Sequence, residues 1–113
     1  MNIDQQLIDE IKSQMEDDIL YFGWMVQIAR LQNPARIESD SINAVIEAVV
    51  KLHSDGTIVV GKTYESNGMV LIDAWSVANK DLRTQIESEV ASHDSSGDQS
   101  FCFWIQLAEH YTS

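Results

Sequence analysis

The chain has 113 residues, 44% of them hydrophobic, with three each of Trp, Tyr and Phe. That is the length of a single domain, here residues 1–113, with enough apolar material for its own core and too much for disorder. Eighteen Asp and Glu stand against seven Lys and Arg, a formal net charge of −11, and a field of that sign repels phosphate backbones and argues against ordinary DNA or RNA binding.

The N-terminal stretch MNIDQQLIDEIKSQ has no basic segment followed by an apolar run, so no secretory signal is expected. No apolar run approaches the roughly 18 residues a membrane helix needs, so no membrane contact is expected. Within the first segment Ile3, Leu7, Ile8, Ile11, Met15, Ile19 and Phe22 recur at helical spacing. The pattern continues into ILYFGWMVQIARLQ, apolar on nearly all sides, and predicts one helix from about residue 4 to residue 31, half exposed at its start and buried at its end. The acidic run Glu16, Asp17, Asp18 falls on this helix with Met15 and Ile19 buried beside it. Gly23 marks either a close approach of two backbones or a break between two helices. Asn33-Pro34 ends the segment, because the residue before proline avoids the helical region.

A second helix follows ESDS, with Ser39 or Asp40 as its expected cap and Ile42, Val45, Ile46, Val49 and Leu52 as a core stripe. Asp55-Gly56 stops it. TIVVGKTY and MVLIDAW read as strands flanking ESNG, where Asn67-Gly68 is a strong hairpin signal because both residues tolerate positive φ. A third helix is expected over about residues 80–91, capped by Asn79, with Leu82, Ile86 and Val90 inward and Glu87 and Glu89 outward. The stretch SHDSSGDQS is a polar loop. FCFWIQL alternates Phe101, Phe103, Ile105 and Leu107 against Cys102, Trp104 and Gln106. A strand apolar on both faces belongs in the middle of a sheet, so Phe103 and Trp104 are both expected in the core. The order α-α-β-β-α-β makes an α+β domain, with helices packed on a small, mostly antiparallel sheet.

VIEAVVKLHSDGTIVVGKTYESNGMVLIDAW, with FWIQLAEHY near the end, resembles the helix-plus-wing segments of winged-helix-like domains. In that family the helix before the wing reads the major groove with basic and amide side chains. The equivalent helix here offers Asn43, Glu47 and Lys51 outward, one acid against one cation, which is a poor groove reader. The resemblance therefore implies the shape without the DNA function.

Catalytic chemistry finds no foothold in the sequence, and no enzymatic activity is expected. His53, His93 and His110 have no histidine or cysteine at metal-ligand spacing, so neither a metal nor another cofactor is expected. Cys102, the single cysteine, excludes an intramolecular disulfide and falls in the most apolar strand, where an inert buried thiol is expected. There is no Gly-x-Ser-x-Gly elbow and no phosphate-cradling glycine loop. Trp24, Trp75 and Trp104 are expected to pack in the core.

A small acidic chain of this kind is similar in type to bacterial toxin-immunity proteins, including those of contact-dependent growth inhibition. That resemblance implies a cytoplasmic protein that binds a basic toxin domain, such as a nuclease with a cationic active site. Opposite fields would steer the encounter. The candidate partner-binding residues are Glu16, Asp17 and Asp18 in one group and Glu87, Glu89, Asp94 and Asp98 in another. The alternative is a winged-helix-like transcription regulator or accessory scaffold protein, which would need a basic face; the cations Lys12, Arg30, Arg36, Lys51, Lys62, Lys80 and Arg83 are instead scattered.

Overall fold

The computed structural model describes residues 5–93 and 99–111. It is an α+β domain with four α-helices and a four-stranded sheet among those residues. The order is α1 (Gln5–Met15), β1 (Leu20–Tyr21), α2 (Phe22–Gln32), α3 (Glu38–Ser54), β2 (Ile58–Ser66), β3 (Met69–Ala74), α4 (Asn79–Ser92) and β4 (Trp104–Leu107). Short 3-10 helices, Gln99–Phe101 and Ala108–His110, flank β4.

The single helix expected over residues 4–31 is two helices with a strand between them. The chain leaves α1 at residues 16–18, where Asp is a poor helix former and its side chain competes for backbone donors. The Asp18 carboxylate accepts the Ile19 N–H at 2.8 Å. Leu20 and Tyr21 then pair with Ile105 and Trp104 of β4, a long-range partner that local periodicity does not reveal. Gly23 is not the break. It lies in α2 where a Cβ would sit 2.4 Å from the Ser100 hydroxyl, so its role is the close approach. The helix ends at Gln32, before Pro34, with the Asn33 N–H donating to the Ala29 carbonyl.

α3 begins two or three residues earlier than a Ser39 or Asp40 cap would place it. Its cap is Ile37, without a side-chain hydrogen bond, and Glu38 and Asp40 instead favour the positive end of the helix dipole from inside the first turn. Its other end is as read: Gly56 takes φ +76°, its N–H donates to the His53 carbonyl, and the Thr57 N–H donates to the Leu52 carbonyl. Those two bonds close a Schellman motif. α4 likewise starts from Ala78 rather than from an Asn79 cap.

The sheet order is β1-β4-β2-β3, every pair antiparallel. β4 is thus internal, as its apolar character predicts, though the strand starts only at Trp104 and Phe101 belongs to the preceding 3-10 helix. The β2–β3 hairpin turns at Asn67 (φ 53°) and Gly68 (φ 79°), with Ser66 opposite Met69. Two positive φ values in a two-residue loop are what the right-handed strand twist demands.

Pairing separates the sheet into two faces. Leu20, Ile105 and Val60 share one row, and Ile58 and Leu107 another on the same side. All five belong to the core cluster, together with Leu7, Ile11 and Met15 of α1, Phe22 and Met25 of α2, Val45 and Val49 of α3, and Leu82 and Ile86 of α4. α3 runs through the middle of this helical layer, against α1, α2 and α4. On the opposite side the row Tyr21, Trp104, Gly61, Ala74 and the row Thr63, Ile72 contribute nothing to that cluster.

The pairing corrects the placement of two tryptophans and one helix face. Phe103 is fully buried as expected, but Trp104 is only half-buried on the far side of the sheet. Trp24 is 37% exposed, and Leu31, near the end of α2, is 67% exposed. The apolar run of α2 is wider than the surface its neighbours can cover. Trp75 does pack against the core, its ring centroid 6.1 Å from that of Phe103.

Candidate interaction surface

Of the two acidic groups nominated from sequence, the first is exposed throughout, and the two described members of the second are ion-paired. Glu16, Asp17 and Asp18 sit in the turn after α1 rather than on the helix, and all three are exposed. None of them makes an ion pair with a described residue. Glu16 also lines a cleft of about 320 Å³ with Lys12, Thr57, Leu107 and Glu109, so Glu109 joins the acidic edge of the molecule and Lys12 is the cation beside it.

The second group is built differently. The Glu89 carboxylate lies 3.3 Å from the Lys62 ammonium and is largely covered. It is therefore not the outward-pointing side chain that helical periodicity alone predicts. Glu87 lies 3.8 Å from Arg83, which also approaches Glu47 of α3 at 3.8 Å. These charges neutralise one another within the domain. Asp94 and Asp98 lie outside the described residues.

The helix before the hairpin has its one outward lysine in an ion pair and presents mainly acid to solvent. α3 buries Ser41, Val45, Ile46, Ala48, Val49 and Leu52. Of its outward residues, Glu47 pairs with Arg83 and Lys51 pairs with Asp55 at 3.2 Å. Its remaining exposed side chains, Glu38, Ser39, Asp40, Asn43 and Ser54, supply acid and no cation. A phosphate backbone would meet repulsion there.

Reactive side chains are few. Burial pushes the Cys102 thiol from 9.0 up to about 11, against the opposing pull of the Lys62 ammonium. A thiol so held is a poor nucleophile at neutral pH. His93 Nδ1 lies 2.9 Å from the Glu89 carbonyl and donates to it in the matching tautomer. Among the described residues no group of three His, Cys, Asp or Glu side chains is arranged to hold a metal ion. Among the same residues no helix is long and apolar enough to cross a membrane.

One feature escaped the sequence reading. Tyr21, Phe101 and Trp104 form a mutual cluster, with centroid separations of 4.8, 5.2 and 5.9 Å. It lies on the sheet face that the core cluster does not use, and Phe101 keeps 52% of its surface in water. Part of the signal was present in FCFW, where strand alternation puts Trp104 opposite Phe103. Tyr21 gave none, because LYFGW has the look of a buried helix.

Comparison with protein-family models, curated proteins and solved structures finds no match to this chain.

Proposed function

We propose that the protein is an immunity protein that binds and neutralises a cognate toxin domain in the cytoplasm. The toxin is a nuclease with a basic active site, of the kind delivered in contact-dependent growth inhibition. The observation that carries the reading is the turn at residues 16–18, whose three carboxylates are exposed and lack ion pairs among the described residues, while Glu87 and Glu89 are ion-paired. A nuclease cleft is positive because it holds phosphates. An acidic surface competes for that cleft, and the opposite fields speed and orient the encounter. The net charge of −11 gives the whole molecule the same sign of attraction.

The test is co-expression with basic nuclease toxin domains, beginning with any encoded beside this chain. Wild-type protein should restore growth and form a complex whose association slows as salt rises. The triple charge reversal Glu16→Lys, Asp17→Lys, Asp18→Lys should associate about ten-fold or more slowly at low salt, with a smaller deficit at high salt. Absence of both protection and complex with the wild-type chain would end the proposal.

A further inference from the structure

The Tyr21, Phe101 and Trp104 cluster is drawn from three separate segments, β1, the 3-10 helix before β4, and β4 itself. The fold's core does not include it: none of the three rings belongs to the core cluster, and Phe101 is among the most exposed large apolar side chains described. Two half-buried rings therefore support a third that faces water. The face of an aromatic ring is negative and attracts cations, guanidinium more often than ammonium.

The electrostatic setting has the same sign. Asp18 precedes Tyr21 by three residues, at most about 10 Å of extended chain. The exposed acids Glu16 and Asp17 lie just before it, and Glu109, which lines a cleft with Glu16 and Lys12, follows the Leu107 end of β4, the end away from Phe101. A basic segment long enough to span the rings and the turn would meet ring faces at one end and carboxylates at the other. Arginine fits both, because its guanidinium stacks flat while its N–H fork reaches a carboxylate.

We propose that the Tyr21, Phe101 and Trp104 platform, flanked by the acidic turn, is a docking surface for arginine side chains of a basic protein partner. This rests on the binding-protein reading above and names the contact face within it. A second copy of the chain is the wrong occupant. Each copy carries −11, so two copies repel through their net charge.

The probes are hexa-arginine and hexa-lysine peptides, titrated into the full chain and followed by the indole N–H resonance of Trp104, assigned with Trp104→Phe. The Trp24 indole, hydrogen-bonded to Gln14, serves as the internal control. Hexa-arginine should move the Trp104 signal, leave Trp24 in place and bind about three-fold or more tightly than hexa-lysine. Phe101→Leu keeps the apolar surface but lacks the ring and should abolish the preference, whereas Phe101→Tyr should retain it. The proposal is overturned if hexa-arginine leaves Trp104 unmoved, or if Phe101→Leu retains the preference. Self-association at about 150 mM salt that Phe101→Glu abolishes would also overturn it, by assigning the face to a second copy. If wild type protects cells from the toxin domain and Phe101→Glu protects equally well, this surface is wrong and the immunity reading survives. If wild type protects nothing while hexa-arginine still engages Trp104, the immunity reading fails and the arginine surface stands.

Discussion

Phe103 and Trp104 are neighbours in sequence and opposites in the fold. Phe103 is fully buried against Phe22 and Trp75, on the face that all four helices cover. Trp104 meets Tyr21 and Phe101 on the other face and remains partly in water. A strand sends successive side chains to opposite sides, so the difference comes from what lies above each face and not from the residues. The covered face gives stability, and the open face keeps large apolar groups available for contact. The exposed Phe101 ring, resting on two half-buried ones, is the feature of that face on which the proposed docking surface is built.

That contrast can be broken by measurement. Phe103→Ala should have the largest effect, roughly 3–5 kcal/mol of lost stability in urea unfolding, as for other large core truncations. A value near that of a surface change would mean that the two faces are not energetically distinct.

A second test uses pH and the buried Cys102. Its folded pKa, about 11, is raised above the 9.0 of a free thiol, so the fold favours the neutral form. The associated stability is fully present below pH 9 and is lost as pH rises from 9 towards 11. At about 1.4 kcal/mol per pKa unit this is roughly 2–3 kcal/mol. Urea unfolding of wild type and Cys102→Ala across that range isolates the effect, and equal slopes would show that the thiol is not held as the structure has it.

Trp104→Ala should cost less than Phe103→Ala, about 1–2 kcal/mol, since it removes partial burial and two ring contacts. Equal costs for the two neighbours would erase the distinction between the faces. The smallest effect belongs to the acidic turn. Gln at positions 16 and 17 together should shift stability by no more than about 0.5 kcal/mol, because these side chains are exposed and without ion pairs among the described residues, whereas Asp18 also holds the Ile19 N–H. A larger loss by the same urea assay would give these carboxylates a structural role instead of a recognition role.

Local chemistry was readable wherever it acts alone. The Asn67-Gly68 turn, the glycine stop at Gly56, the end of α2 before Pro34 and the stripe through Val45, Val49 and Leu52 all follow from backbone sterics or helical spacing, and the structure has each of them. The helix starts were less legible. Ser39, Asp40 and Asn79 are good caps by type, yet each was drawn inside its helix, because packing of the helical body fixed the first turn.

The sequence by itself determined that the chain is acidic and α+β, that its hairpin turns where it does, and that the strand containing WIQL is internal to the sheet. Those properties depend on composition, on φ preferences at single residues and on short-range periodicity. Tertiary structure alone decided that residues 20–21 leave the helical pattern to become an edge strand, because their partner is β4, more than eighty residues later in the chain. It also decided which acids remain available. Glu89 found Lys62 of β2 while the carboxylates at 16–18 were left exposed, and no spacing rule distinguishes an acid whose counter-ion arrives from another element from one that has none; the Glu87–Arg83 pair, four residues apart on α4, is by contrast a spacing the sequence does show. The aromatic platform has the same origin: Tyr21, Phe101 and Trp104 meet because sheet pairing is long-range, and only the completed sheet has two faces to tell apart.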